Sequence, residues 1–158
     1  LIEAFSSTSG LGKSQLWLVG DGQMRSQLEA AREASPAKGR IRLLGQRRDV
    51  PDLLMASDVF VLPTFFEGMS NAVLEAMAAG LPLVLSDIEE NRSITAEAHF
   101  VAPRDALGYG RELAALCGDA KLRHTLGQAG LADCHKKYDM KLSPYQFSTQ
   151  CERVITKS

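Results

Sequence analysis

The sequence predicts an α/β domain, doubly wound around a mainly parallel sheet. Three observations lead there. Short apolar runs, among them Leu16-Trp17-Leu18-Val19, Val59-Phe60-Val61-Leu62 and Leu83-Val84-Leu85, read as strands buried on both faces. Segments of helical length alternate with them, the pattern of strand–helix–strand crossovers. Glycine or proline punctuates the ends of the runs, at Gly20-Asp21-Gly22, Gly45 and Pro63.

Leu1 to Phe5 reads as the end of a helix, and Ser6 to Lys13 as a loop. Gln15 to Val19 is the first strand. Asp21 is placed to cap a helix over roughly Gln23 to Ala34. That helix pairs Arg25 with Glu29 at i,i+4 on its outer side and turns Met24, Leu28 and Ala31 inward. Pro36 to Gly39 breaks it. Arg40 to Leu44 is the next strand, and about Val50 to Met55 a short helix. The strand Asp58 to Leu62 leads into an apolar helix that Gly80 and Pro82 stop. Leu81 to Leu85 and, more weakly, His99 to Ala102 complete the strands. Further helices are expected over about Ala106 to Cys117, Lys121 to Lys137 and Pro144 to Ile155. The chain reads as one domain, 1–158, with a core over about 1–105 and a helical tail over 106–158.

A chain of 158 residues suffices for one domain with a real core. Its net charge of −1 gives no global pull toward nucleic acid or an acidic membrane. No apolar run approaches the ~18 residues of a membrane span, and no signal peptide is visible. The chain opens on Leu1 rather than Met, so targeting stays open. Cys117, Cys134 and Cys151 form no Cys-x-x-Cys pair and, with His124 and His135, no zinc pattern. An odd thiol count without a disulfide framework favours a reducing compartment. No metal is expected, and His99, His124 and His135 read as structural.

In doubly wound folds, ligands bind beyond the carboxyl ends of the strands, where the strand order reverses. The loops Gly20–Gly22, Gly45–Asp49 and Pro63–Ser70 leave that edge. Gly20-Asp21-Gly22 is a partial dinucleotide fingerprint, with Arg25 in place of the third glycine. A tight turn with a helix cap is the simpler account. The segment from Phe65 to Pro82 carries more. Glu67 and Glu75 have seven residues between them, one beside a glycine and one inside an apolar helix. A carboxylate on the inner side of a packed helix is costly unless paired or hydrogen-bonded, so Glu75 suggests a ligand with hydroxyls. Gly68, Met69 and Ser70 lie where loop becomes helix, where free N–H groups and the helix dipole can hold a phosphate. Glu75 follows roughly 7.5 Å further along at 1.5 Å per residue, a fitting distance from a diphosphate to the ribose of the same nucleotide. A helix with one capping and one partly exposed glutamate has the same spacing, and both readings stand on spacing alone.

Gly20-Asp21-Gly22, Leu44-Gly45, Val50-Pro51-Asp52-Leu53-Leu54, Ala56 to Pro63, Phe66-Glu67-Gly68-Met69, Leu74 to Pro82 and Ser86-Asp87-Ile88 follow one another in a distinctive order. Together they resemble the C-terminal domain of group 1 (family four) glycosyltransferases, from Leu1 to about Asp105 and more loosely beyond. The resemblance implies the C-terminal half of a GT-B fold, a Rossmann-like three-layer domain that binds a nucleoside-diphosphate sugar (UDP-, GDP- or ADP-linked) without a metal. It implies transfer of the sugar with retention to a glycan, lipid or small-molecule acceptor. Glu67 would contact the donor sugar as the catalytic glutamate and Glu75 the ribose. The backbone at Gly68, Met69 and Ser70 would meet the diphosphate and Arg47 to Val50 the base edge, mostly through backbone, with Gly20 and Asn71 as further donor-binding residues.

The chain departs from the family pattern in several places. The family's strand with an Arg…Lys pair and its acceptor-binding N-terminal domain do not precede Leu1 here, so the 158 residues alone are expected to lack transferase activity. Ser70 stands where proline is frequent, and Arg92-Ser93 where a Pro-Glu or Arg-Glu pair is common. With its first strand missing, the sheet is expected to show a gap between the strands at Gln15–Val19 and Asp58–Leu62, or to pair them directly. The basic cluster Lys38, Arg40, Arg42, Arg47 and Arg48 reads as a solvated rim, with an anionic membrane or lipid-linked acceptor as the second reading. The expected location is cytoplasmic, with peripheral membrane contact on that second reading. A nucleotide-binding module without catalysis and a GT-B-fold sugar-nucleotide epimerase are the competing functions. A dehydrogenase is disfavoured by the incomplete glycine motif.

Overall fold

The computed structural model describes residues 1–66, 68, 70–138 and, as backbone, 153–157. Among them, six strands make one sheet: β1 Gln15–Val19, β2 Ile41–Gly45, β3 Val59–Leu62, β4 Leu83–Ser86, β5 His99–Val101 and β6 Arg153–Lys157. The helices are α1 Ile2–Ser7, α2 Arg25–Ala34, α3 Val50–Met55, α4 Asn71–Ala78, α5 Glu89–Ile94, α6 Ala106–Gly118 and α7 Ala120–Tyr138. The strand order is β2-β1-β6-β3-β4-β5. Neighbours are parallel except β6, which runs antiparallel to both β1 and β3.

Alternation along the strands splits the core into two layers. Val59, Val61, Leu16, Leu18 and Val84 face α1 and α6, where Phe5, Leu113 and Leu116 are fully buried. Phe60, Leu62, Leu83 and Leu85 face the other way, onto Val50 and Leu54 of α3, the inner side of α4 and Cys134 of α7. The α/β three-layer architecture expected from the sequence is therefore present. Helix α4 stops as its sequence dictates. Gly80 takes φ 69°, its N–H donates to Met77, and the N–H of Leu81 donates to Ala76, which closes the helix with the paired bonds of a Schellman motif. Gly127 of α7 rests so tightly on the Gly80 carbonyl that a Cβ there would collide with it.

Four expectations are corrected. Helix α2 starts at Arg25, two residues later than expected, and its N-cap is Met24, without a side-chain cap. Asp21 instead accepts the N–H of the next residue, Gly22, and so does not reach the helix. No α2 residue is buried, so Met24 and Leu28, meant for the core, border a cavity instead. Residues 89–94, for which the sequence predicts neither helix nor strand, form α5, pinned where Arg92 meets Asp87 at 2.5 Å and covers the Phe100 ring. The fourth correction is the largest. The expected last helix, Pro144 to Ile155, lies mostly outside the described residues, but Arg153–Lys157 is a strand. It fills the slot between β1 and β3, so neither the gap nor the direct pairing occurs. Val154, Ile155 and Thr156 are β-branched and suit a pleated ladder better than a helix. The facing edges of β1 and β3 supply the partners.

Residue 154 pairs with Leu18 on one side and Val61 on the other. Val154→Pro removes a donor from a ladder with neighbours on both sides and leaves a buried carbonyl unpaired, at a cost of about 1–3 kcal/mol. Urea denaturation is the measurement. A change below about 0.5 kcal/mol, the usual size of a surface effect, would show that β6 does not hold the sheet.

Candidate functional site

The turns that leave the carboxyl edge are tied to one another before any ligand is considered. The N–H of Gly20 donates to the carbonyl of Gly45 at 2.9 Å, linking the ends of β1 and β2. Both glycines hold positive φ, 123° and 64°, which a side chain would strain. Arg25 reaches from α2 to Glu29 at 2.9 Å and to Asp21 at 3.4 Å, so the turn is flanked by a paired, exposed charge row.

Arg47 donates two hydrogen bonds to Asp49, at 2.8 and 2.6 Å. That contact holds the Asp49 carboxyl below its usual range and pushes Arg47 up. The Arg47 side chain is committed to its own loop, and that of Val50 is buried in the core. Arg48, by contrast, keeps an exposed side chain in the same loop. Arg40 is used inside the fold, donating to the carbonyls of Leu11 and Ser14 over the Phe5 ring. Lys38 pairs with Glu33 at 3.7 Å. Of the five basic residues, Lys38 and Arg47 are thus paired with a carboxylate and Arg40 is held by carbonyls.

The loop after β3 is held by a polar chain that sequence reasoning missed. Ser86, fully buried at the end of β4, accepts the Thr64 N–H at 2.7 Å and shares a 2.7 Å hydrogen bond with the Tyr109 hydroxyl from α6. Burial pushes the Tyr109 hydroxyl up, against the Ser86 bond. The Thr64 hydroxyl donates to the Phe66 carbonyl at 2.9 Å, and Asn91 of α5 donates to the Ser86 carbonyl at 2.8 Å. The only signal was a serine ending an otherwise apolar strand.

Beyond that loop, Ser70 is the N-cap of α4, with its carbonyl accepting from Val73 and Leu74. The side chain is 1% exposed, and its hydroxyl has no partner among the described residues. Helix N-termini also leave their first N–H groups without intrahelical acceptors. Gly68 faces open space where a Cβ would stand, so protein packing does not demand glycine there. Asn71 is exposed, and Glu75 is buried within α4 at 2%. Glu67 and Met69 lie outside the described residues.

Gly20 and Ser70 border one cavity of about 840 Å³ with Leu18, Met24, Phe65 and Arg104. Arg47, Val50, Gly68, Asn71 and Glu75 are not part of its wall. Arg104 was also missed. It sits at the third position of the turn Ala102-Pro103-Arg104-Asp105, closed by the Asp105 N–H to the Ala102 carbonyl. Its φ of 73° is the one positive value at a non-glycine among the described residues. Proline followed by positive φ is the signature of a type II turn, whose third position favours glycine. Arginine there costs on the order of 1–2 kcal/mol.

Residues 1–119 match the family described as "Glycosyl transferases group 1". A UDP-Gal:alpha-D-GlcNAc-diphosphoundecaprenol alpha-1,3-galactosyltransferase of Escherichia coli is 45% identical over 78 residues, covering 49% of this chain and 20% of that protein. The lipopolysaccharide core biosynthesis glycosyltransferase LpsE of Rhizobium meliloti (strain 1021) is 32% identical over 133 residues, 82% of this chain and 38% of that protein. The chain thus spans well under half the length of these relatives. Among solved structures, WaaG, a glycosyltransferase involved in lipopolysaccharide biosynthesis, superposes with a TM-score of 0.77 at 23% identity, over 90% of this chain and 40% of that one. Anabaena Alr3699/HepE in complex with UDP-glucose superposes at 0.80 and 20% identity, over 87% of this chain and 40% of that one. The GT-B-type fold expected from the sequence is shared with these structures.

Ser86→Ala leaves the Thr64 N–H without its acceptor, and the expected loss is about 1–3 kcal/mol, the cost of an unsatisfied buried group. Chemical denaturation measures it. Tyr109→Phe, which leaves the Ser86 hydroxyl free to keep Thr64, should cost less, and the reverse order would discount the chain.

Proposed function

Because the chain belongs to the group 1 glycosyl transferases, we propose that it forms the donor-binding part of an enzyme that moves a sugar, with retention, from a nucleoside diphosphate to an acceptor. The observation that carries the reading is Ser70. At the N-cap position of α4, beside a cavity and in the segment that carries the family motif, stands a buried hydroxyl with no partner among the described residues. The α4 N-terminus suits a phosphate, because N–H groups and dipole both favour an anion. Gly68, Met69, Ser70 and Asn71 line up along the diphosphate, Gly20 closes the side toward β1, and the backbone of Arg47 to Val50 meets the base. Glu75 takes the ribose hydroxyls, and Glu67 the transferred sugar. The leaving diphosphate balances the positive charge that develops at the anomeric carbon, and the fixed helix dipole stabilises it without reorganisation.

The acceptor is bound by a further domain, and the proposed acceptor is a lipid-linked saccharide. Two relatives act, by their names, on a diphosphoundecaprenol-linked sugar and in lipopolysaccharide core biosynthesis. No helix among the described residues is long and apolar enough to cross a membrane. The proposed site of action is cytoplasmic, where the membrane is met from one side.

Two substitutions test the roles in the enzyme that carries this chain. Glu75→Gln should keep the fold and weaken nucleotide binding by roughly 1.5–3 kcal/mol, the range for hydrogen bonds to a charged group; unchanged calorimetric affinity would falsify the ribose role. Glu67→Ala should lower kcat while bare nucleoside diphosphate still binds, because a contact made in the transition state is lost. If diphosphate binding collapses with turnover, Glu67 holds the loop rather than the sugar.

A further inference from the structure

Arg104 breaks the local rule of its turn and has no folding reason to do so. The type II geometry, with Pro103 second and φ 73° third, asks for glycine. The arginine is exposed, and among the described residues no carboxylate lies within ion-pair distance of it. Its guanidinium stands 5.0 Å from the centre of the Phe65 ring, in the loop that leads to α4. Phe65 is itself 66% exposed, so the pair is not part of the core. Both border the cavity that Ser70 borders. A conformationally unfavourable cation, stacked on an aromatic ring and turned to a cavity with an unpartnered buried hydroxyl, is arranged for an anion. Strain of this kind persists where function needs it.

We infer that Arg104 is a donor-binding residue: its guanidinium takes a phosphate oxygen of the nucleoside diphosphate, while Ser70 and the α4 N-terminus take others. The inference rests on the reading of the chain as a nucleotide-sugar site. Arginine suits the task because its planar fork keeps its charge and can bind two oxygens while one face stacks. Phe65 stacks on the fork and so connects the β5–α6 turn to the β3–α4 loop.

Calorimetric titration of UDP, GDP and ADP into the wild-type enzyme, Arg104→Gly and Arg104→Lys tests it. Glycine fits the turn better than arginine, so Arg104→Gly should melt at the same or a higher temperature without ligand. It should nonetheless bind the nucleotide that the wild type prefers about tenfold more weakly. Its affinity should also depend less steeply on salt, because one charge contact is gone. Arg104→Lys should keep the salt dependence and part of the affinity. Wild-type affinity in Arg104→Gly would overturn the inference alone. So would a loss of affinity accompanied by a drop in melting temperature, which marks a structural role, or an effect confined to the KM of a polyprenyl-diphosphate acceptor. Wild-type protein that binds none of the three nucleotides would overturn the donor reading and this inference with it.

Discussion

The structure depends on one constraint, that the facing edges of β1 and β3 must both be paired. Each carries backbone N–H and C=O groups buried between two helical layers, and no water reaches them to substitute. β6 supplies both ladders at once, pairing Val154 with Leu18 and Val61. Because the other pairs are parallel, the carboxyl ends of β1 to β5 all emerge at one edge. An antiparallel strand in the middle leaves that edge intact while joining its halves. The first half carries the Gly20 and Gly45 turns, and the second carries the loop after β3 and the ends of β4 and β5. Without β6 these would belong to two separate small sheets, and the cavity bordered by Gly20 on one side and Ser70 on the other would have no fixed width.

Much of the fold was legible because burial on both faces leaves strands as plain apolar runs. β1 and α3 carry the bounds expected from the sequence, and the boundaries of β2, β3 and β4 shift by only one or two residues. Local punctuation was equally readable where one residue type has one physical use, as at Gly80. What failed was long-range. Nothing within Arg153–Lys157 says that its partners lie more than ninety residues away, at Val59–Val61, and further still at Gln15–Val19. Helix α2 shows the same limit from the other side. Its stripe of Met24, Leu28 and Ala31 was correctly periodic, yet periodicity says only that a face is apolar, not that something fills the space beneath it.

The candidate site was legible as motifs and not as geometry. Gly20 and Ser70 come together on one cavity, but Arg47 is spent on Asp49 and the Val50 side chain on the core. The residues that shape the loop, Ser86, Tyr109 and Asn91, come from three elements spread over more than twenty positions. No spacing rule connects them, because they meet only when β4, α5 and α6 pack. Arg104 differs again. No reading of the sequence singled out its turn, and a violated preference becomes visible only when φ is known.

The buried polar groups sort by place. Ser35, away from the carboxyl edge, is satisfied by Ser6 and Ala37, and Thr95 by Asp133 and Glu97. Ser86 is satisfied as well, by Thr64 and Tyr109. The polar atoms still without a partner among the described residues include the Ser70 hydroxyl and the side-chain Oδ1 of Asn91, which belong to the N-cap of α4 and to the helix that starts just after β4. A buried hydroxyl or amide without a partner costs about 1–3 kcal/mol, and a strained arginine adds to that cost. Random imperfection would scatter such costs through the molecule. Here they fall on three segments, those that follow β3, β4 and β5: the N-cap of α4, helix α5 and the turn before α6. Of these groups, the Ser70 hydroxyl and Arg104 border the cavity, so the capacity left over among the described residues stands where the proposed ligand would use it.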